Sequence, residues 1–258
     1  MAKSARKRTK LTVKEMKFKN DPMVRLYDRT QEWLQERSAP AVRIVAGIAG
    51  VVILSTALYY FFSYRESKAD GAFAAALEKF NAQVTDTPPP NSTTKFYTDE
   101  QTKWRDAADA FDKVANDYPG SYGVMARYYE GTAYLHIDKA RGQQILQEVV
   151  NKNRQPTSDL ARLALGDSYA STGDNAKAIQ FYQQIMKSDF VPKQVVELDL
   201  GHAYENSGDK KKAVDAYFDV AQADRESDTG TEAQKRLTAL APERLKDLPL
   251  PTTPTPGP

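Results

Sequence analysis

Ala161-Arg-Leu-Ala-Leu-Gly166-Asp-Ser-Tyr169 is matched upstream by Ala126-Arg-Tyr-Tyr-Glu-Gly131-Thr-Ala-Tyr134 and downstream by Val196-Glu-Leu-Asp-Leu-Gly201-His-Ala-Tyr204. Gly131, Gly166 and Gly201 stand 35 residues apart, as do Tyr134, Tyr169 and Tyr204. One supersecondary unit therefore recurs at that period. A second register runs beside it: Gly173-Asp174…Ala178…Tyr182 returns 35 residues later as Gly208-Asp209…Ala213…Tyr217. A helical hairpin accounts for both registers. The glycine lets the first helix pack closely on the second, Ala178 and Ala213 supply the matching small surface, and the tyrosines fill the space between pairs. The Gly-Asp turns break the chain between antiparallel helices.

The unit that begins at Ala126 has a turn one residue shorter and carries Gly142 and Leu146 where Ala178 and Tyr182 recur, which predicts a slightly displaced second helix. Upstream, Ser67 to Val84, with Phe73, Leu77 and Phe80, reads as one helix, and Trp104 to Tyr118, closed by Pro119, as its partner. Between them, residues 85–100 contain Thr87-Pro-Pro-Pro90 and read as a Pro-rich loop. Glu232 to Leu240 reads as a capping helix, and residues 242–258 as a Pro-rich disordered tail. These units resemble tetratricopeptide repeats, of the bacterial envelope subtype with Ala, an apolar residue, Gly and Tyr along the first helix. The expected fold is all-α: an N-terminal amphipathic helix, one transmembrane helix, then a tetratricopeptide-repeat α-solenoid of about four helix pairs over residues 65–241, with a C-terminal capping helix.

Ile44-Val-Ala-Gly-Ile-Ala-Gly-Val-Val-Ile-Leu-Ser-Thr-Ala-Leu-Tyr-Tyr-Phe-Phe62 holds no charge over nineteen residues. As a helix it would cover roughly 28 Å, close to the ~30 Å hydrocarbon core of a bilayer. Tyr59, Tyr60 and Tyr64 form an aromatic belt at one end and Arg43 can snorkel at the other. A transmembrane helix is expected over 41–64. A core helix would show a polar face, and a cleaved signal peptide would not carry a leader of more than forty residues.

Residues 1–43 hold twelve Lys/Arg against five Asp/Glu, a net of +7; the remainder carries 24 basic and 29 acidic residues, a net of −5. The basic end should stay in the cytoplasm. This predicts a bacterial inner-membrane protein of a single pass, with a cytoplasmic N-terminus and a periplasmic C-terminal domain. Residues 1–19 read as a basic flexible segment, a topology signal or a binder of anionic lipid or ribosomal RNA, with no specific nucleic acid implied. Residues 20–39 read as an amphipathic interfacial helix opened by Asn20-Asp21-Pro22, whose stripe is Met23, Leu26, Tyr27, Thr30, Trp33 and Leu34. Ala46, Gly47, Ala49 and Gly50 form a small-residue patch through which two anchors could pair as a homo-oligomer.

Chemistry is sparse. The absence of cysteine excludes disulfides, thiolate metal sites and lipoprotein anchoring. His136 and His202, without a carboxylate cluster at ligand spacing, do not make a metal site, and no Gly-rich phosphate loop is present. Neither an enzyme nor a cofactor is expected. A groove lined by first-helix side chains is expected instead: Met125, Tyr128, Thr132 and Leu135, then Leu160, Leu163, Asp167 and Ala170, then Val195, Leu198, His202 and Glu205. Tyr128, Leu163 and Leu198 fit the core between helices equally well. Leu135, Asp167, His202 and Glu205 have no evident packing reason to form a row, and mix apolar contact with charge as a site for extended peptide would.

The layout of basic segment, single anchor and exported repeats is similar to that of the ancillary subunit family of the SecYEG translocon (YfgM-like), and Lys113-Val-Ala-Asn-Asp-Tyr-Pro-Gly-Ser-Tyr-Gly-Val-Met-Ala126 resembles that family's junction between its first two repeats. The resemblance implies association with the Sec translocon and with periplasmic chaperone or client polypeptides. The long basic leader, Pro-rich insertion and tail depart from that family. An envelope-assembly or cell-division coordinator scaffold is the alternative function.

Overall fold

A computed structural model describes residues 39–87, 96–223 and 225–249, together with positions 22, 24–26, 29 and 32. Those six isolated positions are helical. The other residues of the expected amphipathic helix, the basic segment 1–19 and the end of the tail lie outside the described residues. The chain divides into two compact units, Met1–Arg65 and Glu66–Pro258.

Helix α1, Ala39–Asn81, begins with Pro40 in its first turn, where proline's missing N–H costs nothing. It is long and apolar enough to cross a membrane. Its apolar side chains from Ile44 to Phe62 are exposed, Ile53 by 70%, so the segment is not buried among the described residues. A Cβ added at Gly47 or Gly50 would meet nothing within 4 Å. The helix does not stop at residue 64 or reach Val84 as expected. With neither proline nor a strained glycine between Phe62 and Asn81, nothing breaks it, and its last turns enter the second unit.

The second unit is an all-α solenoid. Its elements are the end of α1, α2 (Glu100–Asp117), α3 (Ser121–Ile137), α4 (Lys139–Lys152), α5 (Thr157–Ser171), α6 (Asn175–Ile185), α7 (Lys193–Ser207), α8 (Lys210–Ala223) and α9 (Asp228–Leu240). Each helix packs on its sequence neighbour from α2 to α9. The pairs are α1/α2, α3/α4, α5/α6 and α7/α8, with α9 as the cap. The C-terminal end of the 85–100 segment is not loop: Phe96–Tyr97 (β2) pairs in parallel with Gln83–Val84 (β1), which precedes the segment, and Glu100 already opens α2 because Asp99 accepts from the Thr102 N–H at 2.7 Å.

The hairpin turns repeat one device. Gly173 (φ 81°) and Gly208 (φ 85°) take the left-handed conformation that ends α5 and α7, and Asp174 and Asp209 then cap α6 and α8 through the Lys177 and Lys212 N–H groups, both at 3.2 Å. The cap is reused. Each lysine turns back to its aspartate at 2.9 Å and lies over the ring of Tyr169 or Tyr204. In the shorter turn before α4, Asp138 ends α3 and caps α4 by itself, and Arg141 covers Tyr134.

The glycine spacing follows from one contact, and it is not the expected one. A Cβ on Gly201 would stand 2.5 Å from Cε1 of Tyr217, and one on Gly166 would overlap Tyr182 in the same way. Ala178 and Ala213 are fully buried, but the surface that faces each glycine is the second-helix tyrosine ring. In the α3/α4 pair Leu146 takes the ring's place. A Cβ on Gly131 would be 2.8 Å from Leu146 Cγ, and one on Gly142 would be 2.7 Å from the Leu135 nitrogen. A leucine fills less depth than a tyrosine, so α4 comes closer to α3, and this approach requires the second glycine. Tyr169 packs against the core clusters on both sides of its helix, as a residue filling the space between pairs does.

The capping helix starts at Asp228, a turn before Glu232, because Ser227 caps it through the Gly230 N–H at 3.0 Å. The tail is ordered at its start. Pro242–Asp247 forms a 3-10 helix, Leu248 is buried with Ala213, Tyr217 and Leu237, and Arg225 donates to the Pro249 carbonyl at 2.9 Å. Two leucines in an otherwise polar segment, Leu245 and Leu248, find apolar surface on the cap and offset the entropy of ordering.

Candidate partner-binding face

First helices touch one another, α3 with α5, α5 with α7 and α7 with α9, whereas second helices meet chiefly their sequence neighbours. The solenoid is therefore tighter on the first-helix side, and that face is the concave one. Thr132, Asp167 and His202 occupy the position after the glycine on α3, α5 and α7, and Leu135, Ala170 and Glu205 the position one turn on.

Asp167 is open to solvent and accepts from the Tyr182 hydroxyl at 2.8 Å. Surrounding protein displaces enough bulk water to raise its pKa, against the lowering effect of that hydrogen bond. Its neighbours along the face are Tyr128 on α3 and Asp199 on α7, both of which feel its charge. Asp199 is pushed up to about 7, first by burial and then by Asp167. Tyr182, next to both carboxylates, is raised strongly, first by burial.

The row continues toward the cap. Glu205 accepts from the Tyr217 hydroxyl at 2.7 Å and lies 3.9 Å from Arg236 on α9. The His202 ring meets Tyr217 edge to face at 5.5 Å, and burial lowers its pKa first, with Arg236 adding to the effect. Its Nε2 is buried and finds no hydrogen-bond partner among the described residues. His202 is thus a neutral ring at this face.

These contacts correct the expectation that Leu135, Asp167, His202 and Glu205 have no packing reason to align. Asp167 and Glu205 hold the hydroxyls of the tyrosines that face Gly166 and Gly201, and Leu135 packs against the core next to Gly142. Thr132 needs no such partner, because Leu146 has no hydroxyl; it donates to the Tyr128 carbonyl at 2.9 Å. Removing Asp167 would take the partner from the Tyr182 hydroxyl, so its replacement is not the neutral change expected of a surface site. Tyr128, Leu160, Leu163 and Leu198 are half-buried and pack on the cores, Val195 is half-buried, and Met125 is 37% exposed.

Asp199 was not visible as part of this face. Its slot holds Tyr129 and Ala164 in the preceding repeats, so no periodic signal marks it, and only the stacking of α7 on α5 brings it to Asp167. It carries a pH prediction. A carboxyl whose folded pKa of about 7 lies above its unfolded value near 3.9 stabilises the fold fully below the unfolded value and loses that contribution as pH rises through the folded one. Asp199→Asn should therefore flatten the decline in urea midpoint between about pH 4 and about pH 7. Parallel wild-type and variant profiles over that window would refute it.

Residues 33–242 match the model of the tetratricopeptide repeat-like domain family. The chain belongs to that family. Among solved structures, this tetratricopeptide repeat-like chain is similar to nearly identical TPR-like repeats of a protein from Podosopora anserina described as a kinesin light chain, with a TM-score of 0.47 and 16% identity over 57% of this chain and 83% of that one. A single-substitution variant of the same repeats gives the same values. No functionally curated protein matches the chain. Tetratricopeptide repeats are interaction scaffolds, and no enzymatic family is indicated.

Proposed function

We propose that this tetratricopeptide repeat-like protein is a membrane-anchored scaffold whose concave face holds extended segments of other polypeptides in the periplasm, beside the Sec translocon and its chaperones. The observation that carries the binding face is the continuous row from Tyr128 through Asp167 and Asp199 to His202 and Glu205, which offers aromatic surface and carboxylates across successive first helices. Apolar positions beside it, Met125, Leu160 and Val195, add contact for a bound chain.

Translocon association is supported by the layout: a basic leader, a helix able to cross a bilayer and acidic repeats after it. The charge difference motivates the orientation. Protease added outside the inner membrane of spheroplasts should digest the repeats and spare residues 1–40, and protection of the repeats would reverse the topology.

The groove is tested away from the residues that hold tyrosine hydroxyls. Met125→Ser with Val195→Ser should leave the domain folded, at a cost of no more than about 0.5 kcal/mol at exposed Met125 and more at half-buried Val195, while weakening crosslinking to partner polypeptides in native membranes. Wild-type crosslinking yield in the folded double variant would place the site elsewhere.

A further inference from the structure

The repeat unit's edge at the starts of its first helices carries a patch that the groove does not use. The end of α1 runs parallel to α3: Asp70 accepts from the Tyr122 hydroxyl at 3.4 Å, Phe73 packs with Ala126, and Phe80 lies edge to face with Tyr129 at 5.3 Å. Glu66, where the chain enters the repeat unit, therefore lies at the same edge as Ser121, Thr157 and Lys193, which open α3, α5 and α7.

At that edge Phe190 is 52% exposed, the most exposed large apolar side chain among the described residues of this unit. Its loop is held in shape. Ser188 Oγ donates to Asp159 Oδ2 at 2.7 Å, the Phe190 N–H donates to Ser188 Oγ at 3.1 Å, and Val191 is buried in the core. The Ser188–Asp159 bond sets this loop beside the one before α5. Lys152, Arg154, Lys187 and Lys193, on the two loops or at the helix ends that flank them, are exposed, against Asp189; Lys193 is tied to Glu197 at 3.0 Å, while Lys152, Arg154 and Lys187 form no ion pair among the described residues.

We infer that this edge docks on an anionic bilayer surface, with Phe190 seated among the headgroups and Lys152, Arg154 and Lys187 over them. An exposed apolar ring on a braced loop, with cations on its own and the neighbouring loop that form no ion pair among the described residues, matches the chemistry of that surface, where each nearby basic residue contributes attraction. The bilayer is also the occupant within reach, because the apolar segment ends at Phe62, four residues before Glu66, and tethering makes the surface contact intramolecular. The inference rests on the reading that Ile44–Phe62 crosses a membrane.

The chain has no cysteine, so single labels can be placed cleanly. In the full-length protein reconstituted in phosphatidylglycerol-containing vesicles with nitroxide lipid, a fluorophore on Asp189→Cys should be quenched, and one on Asn206→Cys, at the opposite edge, should not. Phe190→Ser in the Asp189→Cys background should abolish the quenching, and Lys187→Gln should reduce it. Equal signals at 189 and 206, or quenching indifferent to Phe190→Ser, overturn the inference. A 189 label shielded from aqueous iodide without lipid quenching, in a particle of doubled mass, assigns the patch to a second copy and also overturns it. A label on Ser55→Cys reports the span separately: if it escapes lipid quenching, the membrane reading fails and this inference with it.

Discussion

Gly166→Leu is expected to lower the melting temperature of the whole repeat domain, through a clash that cannot be relieved locally. Even the first carbon of a side chain at this position overlaps the Tyr182 ring. That ring is 2% exposed, and its hydroxyl is fixed on Asp167 at 2.8 Å, so it has no room to swing aside. The helices must part instead. Overpacking of a close-packed interface costs about 1–3 kcal/mol or more. Because α5 also packs on α4 and the α6–α7 interface depends on the same pair, the loss should spread as one transition, at roughly 2–4 °C per kcal/mol. Tyr182→Ala in the same chain should recover part of the loss, since it removes the atoms that collide. The two changes should then couple by about 0.5–3 kcal/mol in a double-mutant cycle, and strict additivity would show that Gly166 does not face this ring.

The period of the repeat was legible because it is set by a requirement no other residue meets, a missing Cβ at Gly131, Gly166 and Gly201. What each glycine faces was not, because sequence spacing gives the face of a helix but not the depth to which a neighbour's side chain reaches. Ala178 matches Gly166 by size, yet Tyr182 lies one turn on and its ring reaches back. The turns were legible from Gly-Asp, which combines a positive φ with a cap. The ordered start of the tail was not legible, because its prolines mask the two leucines that bind it to the cap. The row at Asp167, His202 and Glu205 was found by spacing, but its cause was only half seen, since tyrosine hydroxyls from the second helices hold two of its three members. Glu130 departs from the repeat: it stands where the next two repeats have Leu165 and Leu200.

That exchange makes Arg127→Ala the second large expected effect. Glu130 is 2% exposed, and its partner is Arg127, which donates to it at 2.6 Å and also reaches Asp112 and Asn116, both at 2.7 Å, joining α3 to α2. Burial raises the Glu130 pKa despite the arginine, so the ionised carboxylate is held at a cost even in the intact network. Without Arg127 the charge would be buried alone. Removing one partner of such a pair costs roughly 3–5 kcal/mol, and the partial exposure of Arg127 places this case toward the lower figure. The sign with pH follows from the raised value: a buried acid contributes most when protonated in both states and loses that contribution as pH rises through its folded pKa, so the deficit of Arg127→Ala should grow from acid to neutral pH. Arg127→Leu combined with Glu130→Leu should behave differently, because the slot already accepts leucine in two repeats and Asp112 is exposed enough for water to replace its lost donor. Replacing a whole buried pair by apolar residues is often neutral or stabilising. The double variant should then unfold at or above the wild-type urea midpoint, with less dependence on pH, and the single variant well below it. If the single variant proved as stable as the double, Glu130 would have to find solvent or another cation once Arg127 is gone, and the pair would be a surface contact rather than part of the joint between the first two repeats.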